Sequence, residues 1–171
     1  YYLAELVKNE GVNSFRCANN ELVQGYCDAA EQYGLAYVVR ITGDCPFVDS
    51  ESLDYCISAC RSAGDFDIAT TKGNFPIGID YEIYKSSSMK KINAEADLSD
   101  EDREHLTLYM YNHPEAFSIY KIQPKSSWQS TGHSFTIDTE DDYQFAKKLL
   151  ANINGSNFSI DELIEVSKHD F

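Results

Sequence analysis

The chain is short of positive charge, of long apolar runs and of paired cysteines, and each shortage removes a class of function. Fourteen Lys and Arg stand against 28 Asp and Glu in 171 residues, a formal net charge of −14. Such a surface repels nucleic acid and anionic membranes, so neither is expected as a partner. A nucleotide ligand is still compatible with it, because a divalent cation neutralises phosphates locally. No apolar run approaches the ~18 residues of a membrane span. The opening YYLAELVKNE has no signal-peptide layout, since charge enters by the fifth residue. The five cysteines, at 17, 27, 45, 56 and 60, are odd in number and form no C-x-x-C pair. Neither a disulfide framework nor a zinc site is suggested, and a reducing cytoplasmic location is expected. G-x-S-x-G, G-x-x-x-x-G-K-[ST] and G-x-G-x-x-G are all missing, which removes the usual signatures of serine hydrolases, P-loop NTPases and dinucleotide-binding proteins.

What is present belongs to a folded protein. A hydrophobic fraction of 43% and an aromatic fraction of 13% suit a single domain over residues 1–171. Helical spacing marks YYLAELVKNEG, then a helix from Asn19 or Asn20 to Gly34, then one from Asp49 or Ser50 to Gly64. Between and after them, VNSF, LAYVVRI, FDIATT and IDYEIYK read as strands. SSSMKKINAEA and SDEDREHLTLYMYNHP read as two helices, the second stopped by Pro114. FSIYKIQ and HSFTI are expected strands, and two capped helices finish the chain. Alternation of this kind predicts an α/β layered fold with a largely parallel sheet.

In open α/β sheets, ligands gather beyond the carboxyl ends of the strands. Two strand ends deliver an acid there: VVRITGD places Asp44, and SFTID places Asp138. As parallel neighbours they would form a hard-oxygen pair suited to Mg²⁺. Taken singly, each reads more readily as a helix cap than as a metal ligand, since a helix follows both. Gly43 serves either a positive φ, a close backbone approach or a plain tight turn. Cys45 has no His partner near in sequence and reads as packing. Asp80 could accept a hydrogen bond from a sugar hydroxyl or an amine. Arg103 is a fork-like donor for a carboxylate or phosphate, or else a partner for its own acidic cluster. His105 follows two residues later, on a different face if the helix is regular.

The stretches VVRITGDCPFVDSESLD, FPIGIDYEIY, DREHLTLYMYNHPEAFSIYKI and FTIDTEDDYQFAKKL occur in an order that resembles the cytidylyltransferases of the spore-coat polysaccharide and flagellin-modification type. FRCANNELVQGYCDAAEQYG is similar to the family's segment between its first two core blocks. The resemblance implies a nucleotide-diphospho-sugar transferase fold, an αβα sandwich with a mostly parallel mixed sheet. It also implies CTP and Mg²⁺: a sugar hydroxyl attacks the α-phosphate of CTP, yielding a CMP-sugar and pyrophosphate for surface polysaccharide or glycan synthesis, and a homodimer is a family expectation. On that basis Asp44, in the Thr42-Gly43-Asp44 block, and Asp138 match the acids that hold the metal. Thr42 and Gly43 join them beside the substrate, and Asp80, Arg103 and His105 fall on the sugar side. Two departures stand out. The family's opening loop, of the kind A-R-x-G-S-x-R-L-P-G-K, has no counterpart, so the domain is expected to be truncated or to be a binding module that keeps the fold without turnover. The family's P-D-G-[LI]-D block reads Pro76-Ile77-Gly78-Ile79-Asp80, which points away from the usual sugar.

Overall fold

A four-stranded sheet in the order β1-β3-β2-β4 is built from β1 (Tyr37–Arg40), β2 (Ile68–Thr70), β3 (Glu82–Lys85) and β4 (Ile119–Lys121). The computed structural model describes residues 2–17, 21–95, 97–129, 132–153 and 158–169. β2 pairs with β4 in parallel, whereas β3 runs antiparallel to both β1 and β2. Three strands therefore share one direction and β3 opposes them, so the expected parallel sheet is a mixed one.

Side chains on a strand alternate between faces, and here each face meets its own helices. Ala69 and Ile83 pack with α3 (Ser50–Ser62), α7 (Glu140–Asn152) and α8 (Ile160–Ser167) through Cys56, Leu149 and Leu163. Ile68 and Tyr84 pack with α2 (Leu22–Gln32), α4 (Ser86–Asn93) and α6 (Leu108–Asn112) through Val23, Ile92 and Met110. This is the expected αβα sandwich. α1 (Tyr2–Asn9) buries no residue, and α5 (Asp100–Glu104) caps itself through a Ser99–Asp102 box.

Of the two proposed caps for α3, Asp49 does the work, accepting from the Ser52 backbone N–H at 3.0 Å. Its neighbour in the core is Tyr81, whose hydroxyl donates to the Asp49 carbonyl at 3.1 Å. The expected caps Asn19 and Asn20 lie outside the described residues. Two expected strands are not strands. VNSF is exposed and has no ladder. Residues 133–137 are extended but pair with loops: Phe135 N–H donates to the Ile77 carbonyl at 2.8 Å and Ile137 N–H to the Asp44 carbonyl at 2.9 Å. The single helix expected over residues 99–114 breaks at His105, whose ψ of 58° is not helical. Burial of Leu106 and Thr107 turns the chain inward there, and α5 and α6 are the result.

β1 pairs with β3 alone among the described residues, and Tyr37, Val39 and Ile41 along it are exposed. A cleft of about 420 Å³ lies between β1 and α3, lined by Tyr37, Val39, Ile57 and Phe66.

Gly78 is the glycine that the fold requires at the sheet end. Its φ is +87°, and a Cβ there would lie 2.4 Å from the Phe135 carbonyl carbon. Backbone cannot retreat as a side-chain tip can. Gly78→Ala is expected to cost at least about 2 kcal/mol, from the left-handed strain plus the clash. Urea unfolding of the variant checks this; a loss under ~0.5 kcal/mol would contradict the close approach.

Candidate active site

The register lines up the residues at one end of the sheet. Arg40 and Thr70 both stand opposite Glu82, and Thr70 stands opposite Lys121. Arg40, Thr70 and Lys121 end their strands while Glu82 begins its own, because β3 is reversed. The carboxyl edge of the sheet thus collects the loop after β1 (Thr42, Asp44), the loop after β2 (Lys72) and the loop before β3 (Asp80).

These loops enclose a two-lobed cavity. One lobe, of about 220 Å³, is lined by Arg40, Thr42, Asp44, Cys45, Lys72, Asp80, Glu82 and Thr136. The other, of about 330 Å³, is lined by Arg40, Lys72, Glu101, His105, Thr107, Leu108 and Tyr111. Arg40 and Lys72 line both.

Thr42, Asp44 and Asp80 come together in the smaller lobe, while His105 lines the other, so Asp80 sits with the Asp44 block and apart from His105. Arg103 is exposed on α5 and is not among the residues lining either lobe. Gly43 has negative φ, and a Cβ there would meet nothing within 4 Å, so the plain turn is the reading that fits. Ile77 is 58% exposed and contributes its carbonyl to Phe135; its side chain lines neither lobe, which weakens the case for it as a specificity residue. Cys45 is buried, and burial raises its pKa, as befits a packing thiol. The described cysteines are all free.

Neither Asp44 nor Asp138 caps a helix. Asp49 caps α3 and Thr139 caps α7, so both acids are spared that structural role. Asp138 is reached through the extended segment rather than through a paired strand. The Ile137-to-Asp44 backbone bond brings that segment beside the Asp44 loop, and Thr136, which lines the lobe with Asp44, donates its hydroxyl to Asp138 at 3.0 Å.

Two of the three carboxyls lining the smaller lobe, Asp44 and Asp80, have opposite tendencies. The Thr42 hydroxyl leads the effects that hold Asp44 below its ordinary pKa, helped by Cys45 and the charge of Arg40. Asp80 is pushed up, chiefly by burial and further by Glu82, against the Gly78 N–H and Lys72. Environments that drive neighbouring carboxyls apart in this way separate a charged ligand from a proton acceptor.

No three His, Cys, Asp or Glu side chains gather at metal-holding distance among the described residues. Asp44, Thr42 and Thr136 bring hard oxygens to the smaller lobe, and Asp138, exposed and lining neither lobe, accepts from Thr136 at its margin. Mg²⁺ characteristically takes one or two carboxylates, with water and substrate phosphate completing its shell. The residues fit that ion and do not form a closed cage for it.

Arg40, Lys72, Glu82, Tyr111 and Thr136 were not among the residues the sequence suggested. A signal existed for two of them: VVRI and YEIY each carry one charge inside an apolar strand, and a buried charge needs a partner. Glu82 is 2% exposed and takes Arg40 at 2.7 Å and Lys72 at 2.9 Å. Thr107 and Tyr111 also donate to it, at 2.9 Å and 2.8 Å. Burial alone raises its pKa, but Lys72, Tyr111 and Arg40 outweigh that and hold it below the ordinary value.

The layered α/β architecture with its open mixed sheet is of the nucleotide-diphospho-sugar transferase type. A family model described as cytidylyltransferase matches residues 4–164. The chain belongs to that family. It is 30% identical to the spore coat polysaccharide biosynthesis protein SpsF of Bacillus subtilis, over 82% of this chain and 58% of that protein. It is 28% identical to an uncharacterized protein of Methanocaldococcus jannaschii, over 95% of this chain and 66% of the relative. A solved cytidylyltransferase from Leptospira borgpetersenii superposes with a TM-score of 0.89 at 32% identity, covering 98% of this chain and 70% of that one. The chain thus spans about two thirds or less of the length of the curated relatives it matches. No helix among the described residues is long and apolar enough to cross a membrane.

Linkage gives the buried carboxylate a pH signature. Glu82 has a folded pKa below its unfolded one, so its contribution is complete above the unfolded value, near 4.5. It is lost as pH falls through the folded pKa. Urea unfolding between pH 6 and pH 3 is expected to show a loss of stability in the wild type that Glu82→Gln lacks. Identical pH slopes for the two proteins would refute the assignment.

Proposed function

We propose that the protein is a cytidylyltransferase that forms a CMP-sugar from CTP and a sugar, releasing pyrophosphate, in the synthesis of a surface polysaccharide or glycan. The observation that carries this reading is the meeting of Asp44 and the Asp138 segment, by a 2.9 Å backbone bond, at the carboxyl edge of the sheet. The family match and the polysaccharide role printed for SpsF support it. Asp44 and Asp138 would hold Mg²⁺, which when bound neutralises triphosphate charge and orients the displacement.

The other steps belong to this chain's side chains. Thr42 keeps Asp44 ionised by hydrogen bonding its charged form. Asp80, facing the same lobe with a raised pKa, accepts the proton of the attacking sugar hydroxyl as the new P–O bond forms. Arg40 and Lys72 offer cationic donors to the anionic parts of the substrates. His105 and Tyr111 line the larger lobe, where a sugar would sit.

Incubation of the protein with CTP, Mg²⁺ and a panel of acidic and amino sugars is expected to release pyrophosphate. Asp44→Asn is expected to lower the rate at least roughly 100-fold, since a metal ligand supports several kcal/mol of charge stabilisation. Absence of pyrophosphate across the panel overturns the reading. CTP binding that depends on Mg²⁺ and on Asp44, measured by calorimetry, separates an active site from a module that only preserves the fold. Because Asp80 works as its carboxylate, activity should rise with pH through a pKa above the ordinary 3.8. Asp80→Asn should abolish that acid limb; an unchanged limb removes Asp80 as the base.

A further inference from the structure

We propose that Glu82 is a positioning residue, which holds Arg40 and Lys72 as one oxyanion grip on the ridge between the two lobes of the cavity. The proposal rests on the cytidylyl-transfer reading for its purpose, and on the hydrogen-bond geometry for its substance.

Glu82 has little capacity left for a ligand: Oε1 is fully engaged, and Oε2 already takes Arg40. A carboxylate offers about four lone-pair positions. Oε1 accepts from Lys72, Thr107 and Tyr111, and Oε2 accepts from Arg40. A group so heavily engaged, at 2% exposure, acts through its partners. Those partners do have capacity. The Arg40 side chain is 22% exposed and that of Lys72 is 49% exposed, and each meets Glu82 through one nitrogen, Arg40 with five N–H donors and Lys72 with three.

The placement is over-determined. Arg40 is the β1 residue directly opposite Glu82. Lys72 is set by its own backbone N–H, which donates to Thr70 Oγ1 at 3.1 Å, and its ammonium lies 5.6 Å from the centre of the Tyr111 ring. Without Glu82, two like charges would share this ridge and repel. With it, the triad carries one net positive charge in a protein of net charge −14. A compact cation facing both lobes suits an oxyanion, whether a nucleotide phosphate or the carboxylate of an acidic sugar.

Glutamine cannot replace this residue, because its amide NH₂ would confront donors where the carboxylate accepted them. Calorimetric titration with inorganic pyrophosphate and with gluconate tests the idea in the wild type, Glu82→Gln, Glu82→Asp, Lys72→Ala and the Glu82→Gln/Lys72→Ala double variant. At least one anion is expected to bind the wild type, pyrophosphate marking the phosphate source and gluconate the sugar carboxylate. Glu82→Gln should weaken that binding roughly tenfold, the scale of a charge-assisted hydrogen bond, and Glu82→Asp should recover part of it. The double variant should lose less than the product of the two single losses, because both act on one grip.

The proposal is overturned if neither anion binds the wild type, if Glu82→Gln binds as tightly as the wild type, or if the losses simply multiply. Should Glu82→Gln fail to fold, Glu82→Asp in the wild-type and Lys72→Ala backgrounds supplies the same comparison. No turnover is needed. A protein that grips anions through Glu82 yet releases no pyrophosphate from CTP would sink the transferase reading and leave the grip standing.

Discussion

Burial of a carboxylate at the end of a central strand costs several kcal/mol unless charged partners surround it, and in this protein that condition organises the surroundings of the cavity. Glu82 draws its partners from three places: Arg40 from β1, Lys72 from the loop after β2, and Thr107 with Tyr111 from the start and body of α6. Satisfying one acid therefore fixes the neighbouring strand, the loop and the helix above them. Even the break between α5 and α6 belongs to this arrangement, since Thr107 can reach Glu82 only if the chain turns inward after His105.

A second set of contacts closes the opposite wall. The 77–80 turn and the Asp44 loop each accept a backbone N–H from the extended segment at 135–137. That segment forms no ladder, yet it is as firmly directed as a strand, because Gly78 lets two backbones touch. Hydrogen bonding to loops in place of a neighbouring strand delivers Thr136 to the cavity, with the exposed Asp138 bonded to its hydroxyl, without adding a fifth strand to the sheet.

The layered fold and its helices were legible because amphipathic spacing and caps are local. Asp49, one of two expected caps, does cap α3, and the cap of α7 falls on Thr139, one residue past the expected Asp138. The place of Asp44 after β1 was legible from the apolar run before it, whereas the strand expected before Asp138 did not form. What local pattern could not carry was partner choice. VNSF and HSFTI have strand-like composition, and only the absence of a paired neighbour keeps them from being strands. The direction of β3 was hidden for the same reason, and with it the meeting of Arg40 with Glu82. An arginine at residue 40 and a glutamate at residue 82 look unrelated until the register aligns them.

The connection between β2 and β3 is pinched at its base. The Thr71 N–H donates to the Tyr81 carbonyl at 3.1 Å, and the Tyr81 N–H returns to the Thr71 hydroxyl at 2.8 Å. Tyr81 is itself anchored to the α3 cap through Asp49. Between these two residues lie Lys72 and Asp80, and Glu82 follows at once. A large share of the chemical character of the pocket is thus written in one short excursion whose two feet are bolted to the core. Evolution can redraft such an excursion as a cassette, exchanging its tip for another while the sheet, the helices and the Asp44 loop stay in register. Relatives with one common scaffold and different sugars would be expected to differ most between those two feet.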